Sequence, residues 1–165
     1  MMRRCGWDAN IARRSARNMR MAKMLLNLLD TDHVTLIDRG GQACDNILAR
    51  IRKVSFNEIT VSSISYEEQL RGWLAVLNTL GSSKKQIDGY LRLERMLDFY
   101  CATPILQFDA KAIAEFDRLK QAKIGIGTMD TKIAAIALAN NTTVLTRNFS
   151  DFGKIPGLRI EDWSV

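Results

Sequence analysis

The chain reads as an α/β protein, a three-layer α/β/α sandwich around a central, mostly parallel sheet. Three observations predict this. Short apolar runs alternate with amphipathic helical segments along most of the chain. The segments between successive runs are long enough to cross over from one parallel strand to the next, which a hairpin turn is not. At 165 residues, with no internal repeat and no linker-like stretch, the chain suits a single layered domain with a full core.

The elements follow in order. Met24–Leu29 is apolar apart from Asn27 and reads as a buried strand. Thr31–Arg39 reads as a short helix closed by Gly40–Gly41. Cys44–Val54 carries Ile47, Leu48 and Ile51 on one helical face, and Glu58–Ser63 is a β-branched strand. Ser65–Leu80 is a helix with the stripe Leu70, Trp73, Leu74, Leu77 and Leu80, ended by Gly81. Ser83–Tyr100 is a second long helix capped by Ser82 or Ser83. The strand Thr103–Phe108 contains Pro104 and so belongs late or at an edge. Asp109–Ala122 is a helix capped by Asp109, and Thr128–Ala139 is an Ala-rich helix for which Thr128 is a candidate cap. Strands at Thr142–Thr146 and Leu158–Ile160 complete the sheet.

Composition narrows the class. The hydrophobic fraction of 47% and charged fraction of 25% are ordinary for a soluble domain, and no stretch reaches the ~18 apolar residues of a membrane span. Cys5, Cys44 and Cys101 are far apart and odd in number, which argues against a disulfide framework or zinc cage and for a reducing cytoplasm. The net charge of +6 is local: residues 1–23 hold seven basic residues and one acid, which leaves the remainder with equal numbers of each sign. Residues 1–23 thus read as a basic extension, either an arm adding affinity for RNA or a misassigned start ahead of Met21 or Met24; an Arg-rich presequence is compositionally allowed. Residues 24–165 form the single domain.

Sites in open parallel sheets form beyond the carboxyl ends of the strands. Asp30 and Asp32 follow the first strand, Glu67 and Glu68 lie in the first turn of the helix after the second, Asp130 opens the helix before the fourth, and Asp151 follows the fourth. Asp130 shares the apolar face of its helix with Ile133, Ala134 and Ala137, so it points inward; the plainer reading is an acid favouring the helix dipole. Of the two glutamates, Glu68 lies on the small-residue side near Gly72, while Glu67 borders the apolar stripe. Several carboxylates in one place repel one another unless a cation offsets them, and an all-oxygen donor set selects magnesium or manganese. The single histidine, His33, reads as a helix residue rather than a ligand or base.

The stretch LLDTDHVTLI resembles the first motif of the haloacid-dehalogenase-like phosphatases, in which the first Asp attacks phosphate. That resemblance fails later, because the glycine and Asp130 of GIGTMDTKIAAIAL are not adjacent and no second acid follows before Asp151. A wider one runs from Met24 to Trp163. LLDTDHVTLI, VSSISYEEQLRG and IGTMDTKIAAIALANNTTVLTRNFSDFGKIPGLRIEDW together resemble PIN domains of the VapC type, the toxin ribonucleases of toxin–antitoxin pairs. The second piece is similar to the family's S/T-x-x-E-x-x-x-G, which selects Glu68 over Glu67 through Ser65 and Gly72.

This resemblance implies a PIN-like fold and a Mg2+- or Mn2+-dependent endoribonuclease that hydrolyses RNA phosphodiester bonds with a metal-activated water. Asp30, Glu68 and Asp130 would form its acidic core, with Asp151 as the fourth acid and Thr146 and Asn148 as polar support. It also implies an antitoxin partner, and a homodimer would join two clefts into an RNA-gripping patch. Arg147, Lys84 and Lys85 are candidate RNA contacts; for the two lysines the plainer reading is solvated surface charge. The segment VLNTLGSS between the two long helices is a candidate partner surface. Asp32 stands where the family usually has Asn, either as an additional ligand or as a hydrogen-bonding support for the loop. Two alternatives stay open: the phosphatase with Asp30 as nucleophile, and a PIN-like binding module without activity.

Overall fold

Leu28 and Leu29 are neighbours in sequence but belong to two different cores, because successive side chains of a strand point to opposite faces of a sheet. The same division recurs at Val144 and Leu145. This computed structural model describes residues 26–165; the basic extension 1–23 and the first residues of the expected Met24–Leu29 strand lie outside the described residues. Within them β1 is Asn27–Leu29, β2 Ile59–Ser62, β3 Ile105–Leu106, β4 Thr143–Leu145 and β5 Arg159–Glu161. Their order across the sheet is β3-β2-β1-β4-β5, and every pairing is parallel.

The helices are α1 Thr31–Arg39, α2 Gln42–Ile51, α3 Ser63–Leu77, α4 Ser83–Ala102, α5 Ala110–Gln121, α6 Thr128–Asn140 and the short α7 Phe149–Phe152. One core holds Leu28, Val144, Ala112, Leu119, Phe152 and the Ile133–Ala137 run of α6. The other holds Leu29, Leu145, Val61, Ile47, Met96, Tyr100 and Trp163. The expected three layers are thus present.

Several boundaries differ from the sequence reading. The second, third and fourth strands are shorter than expected, and the last keeps its length but lies one residue later, at Arg159–Glu161. The second helix runs Gln42–Ile51 rather than Cys44–Val54, starting at once after Gly41. The third begins at Ser63, because the Ser62 hydroxyl accepts the Ser65 N–H and turns the chain straight out of β2. Glu67 and Glu68 therefore sit in its second turn, not its first. Thr128 is the first residue of α6 and not its cap; Gly127 holds the cap position without a side-chain hydrogen bond. The 3-10 turn Phe56–Glu58 and α7 were not foreseen. β3 is an edge strand of two residues, and Val61 N–H donates to the Pro104 carbonyl there, a bond that needs no N–H from proline.

The stripe of α3 is only partly core. Leu70 and Trp73 pack on the second core, but Leu74 is 47% exposed. On α4, Ile87 and Tyr90 are each 61% exposed, so α3 and α4 form an arm with apolar surface facing out.

β1 pairs with β2 on one side and β4 on the other. The chain builds outward through β2 to β3, then returns to start again at β4. The crevice beyond the carboxyl ends of β1 and β4 is the topological switch point, where open α/β sheets form sites.

Candidate active site

Asp30 ends β1 and caps α1. Its backbone N–H donates to the Leu145 carbonyl at 3.0 Å, which ties it to the end of β4. Its Oδ1 accepts the Thr31 N–H at 2.7 Å and its Oδ2 accepts the Thr146 hydroxyl at 2.9 Å. Despite these bonds, burial above all, with the neighbouring charges of Asp32 and Asp130, pushes its carboxyl up to about 7. The hydrogen bonds oppose that rise but do not cancel it.

Glu68 reaches the same place from α3 and accepts the Thr31 hydroxyl at 2.6 Å. Glu67 turns to the surface, where it pairs with Arg71 one helical turn on. One residue of spacing on a helix, about 100°, separates the two fates. Asp130 enters from the first turn of α6, half-buried. Burial raises its carboxyl, and the charges of Glu68, Asp151 and Asp32 add to the rise. Asp130 thus acts on Asp30 and Glu68 acts on Asp130, which links the three acids in one electrostatic neighbourhood.

The turn after β4 supplies the polar groups. Thr146 is fully buried, and its hydroxyl, besides donating to Asp30, accepts the Asn148 N–H at 3.0 Å. The Asn148 amide faces Asp151 at 3.3 Å and Asp130 at 3.5 Å. Asp151 is held by Lys154 at 2.7 Å, and that bond, with the one from Asn148, keeps its carboxyl below the usual range. Arg147 points outward, its Nε 3.8 Å from Asp32. Lys84 and Lys85 lie exposed at the start of α4, on the arm.

Asp32 behaves unlike the others. Burial raises its carboxyl, but hydrogen bonds from His33 and the Arg147 N–H, with the nearby charge of Arg147, outweigh it and leave the group lowered. Three residues were not foreseen as neighbours of the site. His33, expected to be an ordinary helix residue, is fully buried with both ring nitrogens engaged. Lys154 was signalled only by its i, i+3 spacing from Asp151. Tyr100 is buried, its hydroxyl meets no partner among the described residues, and burial, then Glu68 and Asp30, raise it. The position of Tyr100 on the inward face of α4 was readable, but which acids its hydroxyl would approach was not.

Among the described residues no three Asp, Glu, His or Cys side chains form a ready cage of ligands. The donors nonetheless fit a small hard cation. They are all oxygens, two of them belong to carboxyls raised by burial and like charge, and magnesium keeps several waters while binding only one or two carboxylates directly.

A sequence profile of the PIN domain matches residues 28–158. The chain belongs to the PIN domain family. Within it, this PIN domain is 32% identical over 111 residues to Ribonuclease VapC2 of Rickettsia felis, a match covering 65% of this chain and 75% of the relative. It is 27% identical over 94 residues to the tRNA(fMet)-specific endonuclease VapC of Salmonella typhimurium, covering 54% and 71% respectively. Among solved structures it is similar to VapBC2 from Rickettsia felis bound to a promoter DNA fragment, with a TM-score of 0.65, 27% identity and coverage of 84% of this chain and 99% of that one. DNA-bound VapBC from Salmonella typhimurium gives a TM-score of 0.65 at 25% identity, with coverage of 85% and 99%.

Proposed function

We propose that this PIN domain is a metal-dependent endoribonuclease, the toxin of a toxin–antitoxin pair acting in the cytoplasm. The observation that carries the reading is the crowding of Asp30, Glu68 and Asp130 at the switch point, with the Asp30 carboxyl pushed up to about 7. Such crowding is unfavourable at neutral pH unless a cation is part of the working site. The relatives' names, a ribonuclease and a tRNA endonuclease, support RNA as substrate.

In this reading Asp30, Glu68 and Asp130 hold Mg2+ or Mn2+. When bound, the ion supplies neutralisation of the phosphodiester and a lowered pKa for the attacking water. The protein's own groups do the rest. Thr31 and Thr146 orient Glu68 and Asp30 through their hydroxyls, so that the carboxylate oxygens are fixed before substrate arrives. Asn148 spans Asp130 and Asp151 and holds the fourth acid in place. Arg147, exposed at the rim, offers its guanidinium to a backbone phosphate.

An antitoxin is the proposed occupant of the α3–α4 arm, supported by the exposed Leu74, Ile87, Tyr90 and Leu91 and by solved neighbours that are toxin–antitoxin complexes. The homodimer expected from the sequence is a separate proposal, tested by light scattering of the pure chain.

The test is cleavage of a total RNA pool by the full chain with Mg2+, with chelator, and with Asp130→Asn. Discrete fragments that vanish in the last two conditions support the reading. Cleavage that survives Asp130→Asn overturns the assignment of the site, and a folded chain that binds Mg2+ but cuts nothing favours the binding module.

A further inference from the structure

Asp32 and His33 join three segments that are far apart in sequence. Asp32 Oδ2 accepts the backbone N–H of Arg147, in the turn after β4, at 2.8 Å. Its Oδ1 lies 2.7 Å from His33 Nδ1. On the other side of the ring, Nε2 lies 3.1 Å from the backbone N–H of Trp163, just past β5.

A backbone N–H can only donate, so Nε2 must be the acceptor and the ring's hydrogen sits on Nδ1, where it donates to Asp32. Asp162 Oδ1 also approaches Nε2, at 3.5 Å, but that oxygen already accepts the Ser164 N–H at 2.8 Å and the Ser164 hydroxyl at 2.6 Å. The ring is fully buried, so water offers no substitute partner.

We infer that His33 and Asp32 act as a positioning pair that fixes the Thr146–Asn148 turn against Asp30. Arg147 is the middle residue of that turn. Holding its N–H orients the peptide groups on either side, and with them the Thr146 hydroxyl on Asp30 and the Asn148 amide between Asp130 and Asp151. The pair acts through other residues and touches no reacting atom.

The same geometry explains why an aspartate stands at position 32. An asparagine there has one acceptor oxygen and an NH2. With the oxygen on the Arg147 N–H, its NH2 meets the His33 Nδ1–H, donor against donor. Moving the ring hydrogen to Nε2 relieves that clash and creates another, against the Trp163 N–H. Turning the amide over gives its oxygen to the His33 Nδ1–H but sets its NH2 against the Arg147 N–H; in every arrangement one of the three bonds is lost, so Asp32 and His33 are chemically interdependent.

This inference rests on the nuclease reading for its activity arm, but its spectroscopic arm does not. The variants are Asp32→Asn, His33→Phe and His33→Asn, assayed with a short fluorogenic RNA and Mg2+. His33→Phe keeps the ring volume and removes both bonds; His33→Asn places an amide NH2 near the position of Nδ1 and keeps the bond to Asp32. Expected are a fall in kcat of about 10–100-fold for Asp32→Asn and His33→Phe with KM little changed, substantial rescue in His33→Asn, and a double variant no worse than either single one. Loss in Asp32→Asn with full activity in His33→Phe overturns the pairing and makes Asp32 a direct ligand. Full activity in both overturns the positioning role. Independently, a long-range 15N spectrum of the full chain at neutral pH is expected to show the His33 hydrogen on Nδ1 alone; a hydrogen on Nε2 overturns the inference even if no RNA is cut. If the wild type cuts nothing while the spectrum is as expected, the nuclease reading fails and with it the positioning role, but the Asp32–His33 lock stands.

Discussion

Asp30 shows what a single residue's surroundings can do to it. A carboxyl whose folded pKa is about 7 binds its proton more tightly in the folded chain than in the unfolded one, where the ordinary value is near 4. Between those two values the folded state holds more protons, so stability contributed at low pH is lost as the pH rises toward 7. The metal-free protein is therefore expected to unfold at lower denaturant concentration at pH 7.5 than at pH 5. Asp30→Asn, which keeps the shape and removes the titration, should flatten that dependence and stabilise the metal-free chain at pH 7.5 by on the order of 1–3 kcal/mol. Denaturant melts of both forms at the two pH values check this, and a variant as pH-sensitive as the wild type would assign the effect to another group. Tyr100 makes a second case. Its buried hydroxyl meets no partner among the described residues, so Tyr100→Phe removes a polar group without breaking a hydrogen bond among them. The expected thermal shift is neutral to stabilising, by up to about 1 kcal/mol; a loss of more than that would show that the hydroxyl has a partner in solution.

At the scale of elements, the most legible parts were those in which local chemistry and tertiary context agree. α1 was readable to the residue because the DxD start and the Gly40–Gly41 stop are both local signals, and Gly40 does adopt a positive φ of 74°. The start of α3 was missed by two residues because Ser62 and Ser65 are both plausible caps, and only the tight exit from β2 decides between them. The apolar stripe expected over Ser65–Leu80 lies on α3 only as far as Leu77, with Leu80 in the turn beyond the helix end, and periodicity does not say what covers it. Leu77 and Leu80 turn out to close over Gly89 of α4, where a Cβ would lie 2.6 and 2.8 Å from their methyl groups, while Leu74, Ile87 and Tyr90 remain outside. An exposed patch of this kind contributes little to folding and much to association. The double variant Ile87→Glu, Tyr90→Lys is accordingly expected to keep its Tm within the equivalent of about 0.5 kcal/mol and to keep its RNA cleavage. An antitoxin co-expressed with the chain is expected to co-purify with the wild type and to be lost from this variant. Undiminished co-purification would move the partner surface off the arm.

For the whole molecule, the order β3-β2-β1-β4-β5 is what brings together the candidate-site residues that are scattered along the chain. Asp30 and Thr146 are 116 positions apart and share a hydrogen bond because β1 and β4 are neighbours at the point where the sheet reverses its growth. The acids themselves were legible from where they fall relative to strands and helices. The His33 contact with Trp163 was not, since it depends on β5 lying beside β4 and bringing the C-terminal residues back over α1. Because the acids come from separate elements, an ion bound among them ties those elements together and stabilises the entire fold by mass action. If magnesium binds with a Kd of about 1 mM, then ~10 mM adds roughly 1.4 kcal/mol at 25 °C, a rise of a few degrees in Tm for a domain of this size. The rise should depend on pH with a definite sign. Below about 7 the Asp30 carboxyl keeps its proton and competes with the ion, so the shift at pH 5.5 should be clearly smaller than at pH 7.5. Asp130→Asn should reduce it at both. Thermal melts with Mg2+ and with chelator at the two pH values, on wild type and variant, decide the matter: equal shifts at both pH values, or an undiminished shift in Asp130→Asn, would put the ion somewhere other than the switch point.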